Sequence, residues 1–210
     1  MRRSVSIAVL AGGQSSRMGR DKALLELEPD GKPLLKIVLD RVQPLSDDVF
    51  VVASGRDAYA TFGAPVQPDL YPGAAVLGGI GSAIRHATHD ACLVVSCDHP
   101  FLNRALLSSM MATPGDWDVL VPVIRGESRQ GGKVIRQTLH AVYARSCVPH
   151  IERAIAEGML QIVSFFPKVR VNEVDEAAMA FHDPDFRSFF SVNTPEALAT
   201  ANRWRSSEER

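Results

Sequence analysis

Hydrophobic residues occur along this chain in short runs that alternate with longer amphipathic stretches. The runs are rich in Val, Ile, Leu and Cys and predict four β-strands, at residues 5–10, 49–53, 92–97 and 119–123. Apolar residues at helical spacing predict five helices, at residues 33–44, 79–88, 104–111, 149–157 and 195–204. Thr194 is the predicted N-cap of the last helix, with Pro195 in its first turn.

The predicted strands are apolar throughout, which indicates a sheet that is buried on both faces. Such sheets are mostly parallel, and right-handed crossovers place their helices on both sides. The pattern therefore predicts an α/β fold with a mostly parallel central sheet. Between residues 164 and 190 the pattern is irregular, apart from the helix-compatible segment EVDEAAMAF.

The chain has 210 residues, of which 46% are hydrophobic and 22% charged, as is typical of one soluble globular domain. Lys and Arg total 23 against 24 for Asp and Glu, so the overall charge favours neither nucleic acid nor an anionic membrane as a partner. Three cysteines without a C-x-x-C pair favour a reducing compartment. The apolar run behind Arg2 and Arg3 is too short for an export signal or a membrane span. We therefore expect a cytoplasmic protein without a membrane segment.

The first predicted strand runs into a glycine-rich, cationic loop, LAGGQSSRMGRDK. In parallel α/β sheets, ligands bind beyond the carboxyl ends of the strands. Gly12 and Gly13 allow backbone N–H groups to converge on an oxyanion, and Arg17 and Lys22 add cationic donors. The spacing matches neither the P-loop nor the dinucleotide-binding motif. We predict a cradle for a polyphosphate, and the alternative is a surface turn with solvated charges.

Two carboxylates follow strand-like segments. Asp98 comes directly after the apolar run ACLVVSC, and Pro100 ends that strand. A carboxylate at this edge can hold Mg²⁺ together with substrate phosphates, while the alternative is a strand-end or helix-capping aspartate. Asp69 lies in QPDLYPG, where a turn aspartate beside Pro68 is an equally good interpretation.

Other polar residues carry weaker signals. The six histidines, of which His99 is nearest to Asp98, show no ligand spacing and are predicted to be structural. Cys97 is predicted to be a strand residue, because nothing nearby in the sequence would lower its pKa. The segment RGESRQGGKVIR, from Arg125 to Arg136, carries four cations and is either a solvated loop or a second anion site.

The segment LAGGQSSRMGRDKALL, followed by GKPLL, resembles the N-terminal signature of nucleotidyltransferases, above all the molybdenum cofactor guanylyltransferases. CDHPF resembles their CD-x-P-[FY] element, and FSVNTPEAL resembles their C-terminal element. The resemblance implies a three-layer Rossmann-like nucleotidyltransferase fold. It also implies one domain over residues 1–210, whose N-terminal part binds the nucleotide and whose C-terminal part binds the acceptor.

The resemblance further implies roles for individual residues. Arg17, Lys22 and Asp98 are implied to be catalytic, with Asp98 as the Mg²⁺ ligand. Asn193 is implied to lie near the acceptor, although Asn-Thr-Pro is also an ordinary helix start. The implied nucleotide-binding set is Leu10, Ala11, Gly12, Gly13, Lys22, Asp69 and Asp98.

Two places depart from the family pattern. PGAAVLGG occupies the place of a loop that contacts the base, with Ala75 and Val76 where Gly and Pro are usual. Ala53 aligns with an Asn that touches the nucleotide in some members, and we assign it no role. Because both departures concern the nucleoside, the sequence leaves the identity of the base open.

The implied reaction is in-line attack of a monophosphate oxygen on the α-phosphorus of GTP, with release of pyrophosphate. The implied acceptor is molybdopterin or its molybdenum-loaded form, and transient contact with pterin-delivering proteins and acceptor molybdoenzymes follows from that product. The alternatives are cytidylyl transfer to the same pterin and nucleotidyl transfer to a sugar or polyol phosphate. A non-catalytic nucleotide-binding regulator is an alternative of another class, which intact Arg17, Lys22 and Asp98 oppose.

Overall fold

The fold is organised around one large β-sheet. A computed structural model describes residues 4–11, 21–54, 57–125 and 134–208. The strands in these ranges are β1 (Val5–Leu10), β2 (Glu26–Leu27), β3 (Lys32–Pro33), β4 (Val49–Val52), β5 (Val66–Gln67), β6 (Ala91–Ser96), β7 (Val119–Arg125), β8 (Val134–Arg136), β9 (His140–Ala144) and β10 (Val171–Val174). The α-helices are α1 (Leu34–Val42), α2 (Ala75–His86), α3 (Arg104–Met111), α4 (Val148–Ala156), α5 (Glu176–Ala180) and α6 (Pro195–Glu208).

The main sheet has the strand order β10-β7-β9-β6-β1-β4-β5, with β8 paired to β7. The β1 strand pairs in parallel with β4 and β6, β4 with β5, and β7 with β10. The β9 strand runs antiparallel between β6 and β7, and β8 is antiparallel to β7. The mostly parallel sheet is therefore confirmed, and the four predicted strands form β1, β4, β6 and β7.

Successive residues of the central strands pack into two separate hydrophobic clusters, one on each face of the sheet. Ile7 and Val9 of β1 join the cluster that contains residues of α1 and α3. Ala8 and Leu10 join the cluster that contains residues of α2 and α4. This alternation follows from the two-residue period of a strand. The result is the three-layer arrangement that the family resemblance implied.

All five predicted helices are present, and α3 has the predicted bounds. The largest differences are four residues each: α2 begins at Ala75 rather than at residue 79, and α6 ends at Glu208 rather than at residue 204. The backbone N–H of Ala197 donates to Thr194 Oγ1 at 3.2 Å, which confirms Thr194 as the cap of α6. The irregular region contains α5, capped by Asp175, whose Oδ1 accepts from the Ala178 N–H at 2.9 Å. Within the described ranges, every helix is too short or too polar to cross a membrane.

A smaller hydrophobic cluster fastens the C-terminal segment beside the end of β6. Phe101 packs there with Leu34, Val192 and Trp204. The ring centroids of Phe101 and Trp204 lie 5.3 Å apart, edge to face. The backbone N–H of Val192 also donates to the carbonyl of Asp98 at 2.8 Å. These contacts bring residues 190–193 to the edge of the sheet at which β6 ends.

Asp118, immediately before β7, is held by a bidentate ion pair. Arg170 donates from Nε to Oδ2 at 2.9 Å and from Nη2 to Oδ1 at 3.0 Å, and Ser146 Oγ donates to Oδ1 at 2.6 Å. The hydrogen bonds from Arg170, against the opposing effect of burial, hold the pKa of Asp118 well below its usual value. The ionised form of Asp118 is therefore stabilised by folding.

This ion pair predicts a pH-dependent contribution to stability. Because the folded pKa of Asp118 is lowered, its contribution is complete above the unfolded pKa of about 4 and is lost as the pH falls below it. We expect Asp118→Asn to unfold a few degrees below the wild type near neutral pH, and this gap to close in acid. Thermal unfolding followed by circular dichroism at several pH values measures it. A gap that is constant or widens below about pH 4 would contradict the assignment.

Candidate active site

The parallel strands end together at one edge of the sheet. Leu10 at the end of β1 is in register with Val52 of β4 and with Ser96 of β6. A cavity of about 680 Å³ opens at this edge. Its wall is formed by Leu10, Val52, Ala53, Ser54, Asp69, Pro72, Gly73, Ala75, Val76, Gly79, Ser96, Asp98 and Leu139. Its position is that at which parallel α/β sheets bind ligands.

Asp98 lies at the base of this cavity, two residues beyond the end of β6. Its side chain is 15% exposed, Oδ1 lies 2.9 Å from His99 Nδ1, and Oδ2 lies 4.0 Å from Lys22 Nζ. Burial raises the pKa of Asp98, but the close contacts with His99 and Ser96 and the nearby positive charge outweigh burial, and the pKa is lowered. The carboxylate is therefore ionised at neutral pH, as a metal ligand must be.

Lys22 joins the N-terminal motif to the C-terminal one. Its Nζ donates to Asn193 Oδ1 at 2.5 Å and faces Asp98. Its backbone position is fixed by Asp21, which caps the turn Lys22–Leu24 by accepting from the Ala23 N–H at 3.1 Å. The buried Tyr59 hydroxyl lies 2.7 Å from Asp21 Oδ2 and anchors that carboxylate from behind. Sequence reasoning missed Tyr59, because the contact joins residues 38 positions apart.

Asn193 lies beside Lys22 rather than at the helix cap. Thr194 provides the cap of α6, so the interpretation of Asn193 as part of an ordinary helix start does not explain its side chain. Asn193 Nδ2 donates to Ser191 Oγ at 2.7 Å, which orients the amide oxygen toward Lys22 Nζ. The ammonium group of Lys22 therefore lies between Asp98, which is predicted to bind the nucleotide, and Asn193, which is predicted to bind the acceptor substrate.

The Asp69 side chain accepts hydrogen bonds within its own turn, and the residue also lines the cavity. Its Oδ1 accepts from the Tyr71 N–H at 3.0 Å and from Ser82 Oγ at 2.8 Å. The turn interpretation is thus correct for this oxygen, while the residue as a whole belongs to the cavity wall. A nucleotide contact by Asp69 stays a prediction.

The loop that follows Asp69 is held against α2 by close backbone packing. A Cβ atom at Gly78 would lie 2.6 Å from the Tyr71 carbonyl oxygen, so this position requires glycine. Tyr71 OH donates to Glu152 Oε1 at 2.6 Å, and Arg85 Nη2 reaches the same oxygen at 2.6 Å. These contacts fix one wall of the cavity to α2 and α4.

Ala75 occupies a backbone conformation that normally favours glycine. Its φ is +51°, and the side chain is exposed at the cavity wall. The left-handed region costs a non-glycine residue about 1–2 kcal/mol. We therefore expect Ala75→Gly to stabilise the protein by about 1 kcal/mol, which is roughly 2–4 °C in melting temperature for a chain of this size.

Ala105→Gly is the matched control, because Ala105 is exposed in helix α3 and is absent from the positive-φ positions of the described residues. It should destabilise by about 1 kcal/mol. Thermal unfolding of both variants tests the pair. A lower melting temperature for Ala75→Gly would contradict the strained assignment.

The predicted nucleotide-binding residues of the N-terminal motif fall into three groups. Leu10 lines the cavity. Ala11 is buried, and its backbone N–H already donates to the Val52 carbonyl at 3.1 Å, so it lies behind the wall. Gly12, Gly13 and Arg17 lie outside the described residues, and their roles stay predictions.

His99 and Cys97, which flank Asp98, have different positions. His99, which the sequence predicts to be structural, contacts the Asp98 carboxylate at 2.9 Å. Cys97 lies in the turn directly after β6 rather than in the predicted strand, and burial raises the pKa of its thiol, which disfavours a nucleophilic role. No group of three or more His, Cys, Asp or Glu residues with metal-binding geometry occurs among the described residues. Magnesium commonly takes several of its oxygen ligands from substrate phosphates and water.

The cationic segment from Arg125 to Arg136 is described only at its ends. Arg136 Nη2 donates to Glu173 Oε1 at 2.6 Å, and the Arg125 backbone N–H donates to Glu176 Oε1 at 2.6 Å. Both ends are thus tied to acidic residues of the neighbouring β10 and α5 region. A second anion site in this segment stays a prediction.

Comparison with known proteins identifies the family of this chain. Residues 7–170 match the family model of the MobA-like NTP transferase domain. The chain is 36% identical over 194 residues to the probable molybdenum cofactor guanylyltransferase of Pelotomaculum thermopropionicum, covering 92% of this chain and 89% of that protein. It is 34% identical over 200 residues to the molybdenum cofactor guanylyltransferase of Desulfosudis oleivorans, covering 94% of each.

The fold agrees as well. The crystal structure of molybdopterin-guanine dinucleotide biosynthesis protein A from Archaeoglobus fulgidus superposes with a TM-score of 0.81 at 27% identity, covering 97% of this chain and 100% of that chain. The Rossmann-like nucleotidyltransferase fold implied by the sequence is thereby confirmed. The family match and the two relatives together show that this chain belongs to the MobA-like NTP transferase family.

Proposed function

We propose that this protein transfers GMP from GTP to molybdopterin, or to its molybdenum-loaded form, and releases pyrophosphate. The names of the relatives support the donor and the acceptor. The observation that carries the proposal is the position of Lys22 Nζ between Asn193 Oδ1 and Asp98 Oδ2. Asp98 is assigned to the nucleotide and Asn193 to the acceptor, and both lie next to the Lys22 ammonium group. The two substrates would therefore meet at Lys22.

The reaction joins an oxygen of the acceptor phosphate to the α-phosphorus of GTP. The bond between that phosphorus and the oxygen bridging to the β-phosphate breaks, and pyrophosphate leaves with the electron pair. A phosphate monoester has a second pKa near 6, so the attacking oxygen is already deprotonated at neutral pH and needs no general base. The protein contributes positioning and charge stabilisation rather than proton transfer.

Individual residues have separate parts in this mechanism. Lys22 neutralises charge that develops on the transferring phosphoryl group, and Asn193 holds its ammonium in place through the 2.5 Å hydrogen bond. Asp98 is the residue that would hold Mg²⁺, which supplies further charge neutralisation when bound. Asp69 and the loop over residues 72–76 form the part of the wall available to the nucleoside. Arg17, Gly12 and Gly13 are proposed to surround the phosphates.

We also propose that the two substrates are bound by different parts of the chain. We assign nucleotide binding to the N-terminal part and acceptor binding to the C-terminal part, because β1 and β4 line the cavity while Asn193 comes from the C-terminal segment. Free, buried thiols at Cys92, Cys97 and Cys147 support a cytoplasmic location. Proteins that deliver the pterin or accept the dinucleotide would contact the chain transiently.

A donor competition tests the proposal. The enzyme is incubated with molybdopterin, Mg²⁺ and equimolar GTP, CTP and ATP, and the products are separated by mass. We expect the guanine dinucleotide to exceed the other two by about tenfold or more, which corresponds to about 1.4 kcal/mol of discrimination. A dominant cytosine or adenine product would overturn the donor assignment. Nucleotide binding without pyrophosphate release would instead indicate a regulator.

A further inference from the structure

Two histidine rings lie behind the Asp98 carboxylate, on the side away from Lys22. His99 Nδ1 lies 2.9 Å from Asp98 Oδ1, and the His99 side chain is 12% exposed. The ring of His140 meets the ring of His99 edge to face, with centroids 4.8 Å apart and an interplanar angle of 80°. The two oxygens of Asp98 therefore have different partners, since Oδ2 faces Lys22.

His140 is fixed from several directions. It begins β9, is 1% exposed, and is in register with Val95 of β6. Its ring packs against Phe189 with centroids 4.9 Å apart, and its Nε2 is buried without a hydrogen-bond partner among the described residues. Burial lowers its pKa well below the usual value, so the ring is neutral and adds no charge near the cavity.

The segment that carries Phe189 is itself anchored. Asp183 accepts from the backbone N–H of Ser188 at 2.9 Å, and Ser188 Oγ accepts from the Asn103 N–H at 2.8 Å. The rings of His99, His140 and Phe189 thus pack in a row, the first pair edge to face. This row of rings connects Asp98 to the anchored segment that carries Ser188 and Phe189.

A carboxylate without such a partner rotates readily, because the terminal sp³–sp² torsion has a broad energy profile. A nitrogen in close contact with one oxygen, as Nδ1 of His99 is with Oδ1, limits that freedom and favours one direction for the other oxygen. Groups behind a metal ligand act in this way in metalloproteins, and their replacement weakens metal binding about 10- to 100-fold.

We propose that His99 is a positioning residue that holds Asp98 Oδ1, so that Oδ2 is presented to Lys22 and to a divalent cation, and that His140 keeps the His99 ring in place. This inference rests on the proposed function, because it assigns a role to the metal-binding carboxylate. It assigns His99 Nδ1 as the polar contact of Asp98 Oδ1, since neither atom has a partner in hydrogen-bond geometry among the described residues, and His140 as a packing support through its ring.

Electron paramagnetic resonance of Mn²⁺ in the presence of GTP tests the inference directly, since it measures metal affinity without turnover. In His99→Leu the contact of Nδ1 with Asp98 Oδ1 is lost, and we expect the Mn²⁺ dissociation constant to rise about tenfold. In His99→Asn the amide nitrogen takes the place of Nδ1, and we expect affinity within about threefold of the wild type. In His99→Gln the amide nitrogen lies in the place of Nε2, so the affinity should fall as in His99→Leu.

His140 is tested by a second matched pair. His140→Phe retains a ring between His99 and Phe189, and we expect it to preserve Mn²⁺ affinity. His140→Ala removes the ring, and we expect a loss similar to that of His99→Leu. His150→Asn, on helix α4, is the control for histidine replacement elsewhere. Thermal unfolding of each variant shows whether a loss of Mn²⁺ affinity comes from loss of the fold. If His99→Leu does not fold, the difference in Mn²⁺ affinity between His99→Asn and His99→Gln tests the positioning role.

The outcomes distinguish the two proposals. Wild-type protein that binds no Mn²⁺ with GTP would overturn the metal assignment of the proposed function. Wild-type binding that stays unchanged in both His99→Leu and His99→Gln would overturn the positioning role alone. Equal losses in His99→Asn and His99→Gln would also overturn it, because the position of the donor would then not matter.

Discussion

Asp98→Asn lowers kcat for GMP transfer about 1,000-fold at saturating Mg²⁺, which is the largest effect we expect of any single replacement. A bound metal ion stabilises transition-state charge by several kcal/mol. A change of about 1.4 kcal/mol in the activation free energy changes the rate tenfold. Asparagine has the shape of aspartate and retains one oxygen for the contact with His99, but it lacks the charge that holds a divalent ion. Steady-state pyrophosphate release, with GTP and molybdopterin both saturating, measures the effect.

Asp90→Asn is the control for this prediction. The Asp90 side chain is 94% exposed, and its carboxylate lies 3.9 Å from Arg145 Nε, so the same chemical change is made on the surface. We expect turnover close to that of the wild type. A kcat for Asp98→Asn within about tenfold of the wild type would exclude Asp98 as the principal metal ligand.

We expect Lys22→Met to lower kcat about 100-fold and to leave the fold intact. Methionine retains much of the length of the lysine side chain, while the positive charge is removed from Asp98 and from the transferring phosphoryl group. Removal of one electrostatic donor at a developing charge typically costs about 100- to 1,000-fold in kcat. Because Asn193 Oδ1 also loses its donor, we expect KM for the pterin to rise together with the loss in kcat.

Lys36→Met is the matched control for the lysine. Lys36 lies on α1 and pairs with Asp40 at 2.6 Å on the surface, where such pairs contribute little. Its kinetic constants should stay those of the wild type. A Lys22→Met enzyme whose kcat is unchanged while only KM for GTP rises would limit Lys22 to ground-state binding.

The sheet could be predicted from the sequence because its central strands are apolar throughout. The β9 strand could not, because the antiparallel direction of HAVYA depends on pairing with β6 and β7 rather than on its own residues. The two-residue strand β5 is likewise too short for a periodicity. Local pattern therefore specifies the layers, and tertiary pairing specifies the direction of single strands.

The candidate site was predictable where the residues lie next to strand ends. Asp98 directly follows an apolar run, and its position in the cavity follows from the parallel arrangement. The contact between Lys22 and Asn193 joins residues 171 positions apart and is made only by the folded chain. The sequence predicts a structural role for His99, because spacing cannot show that its ring contacts His140. That contact forms only when β9, which begins at His140, pairs with β6.

Transfer of a labelled phosphate tests the central claim most directly. With molybdopterin, Mg²⁺ and GTP labelled with ³²P at the α-phosphorus, we predict that the label moves to the pterin product in a single turnover. With GTP labelled at the γ-phosphorus, the label should leave as pyrophosphate. Label that stays in free guanine nucleotide, or that leaves as orthophosphate from the γ-position, would contradict attack at the α-phosphorus beside Lys22 and Asp98.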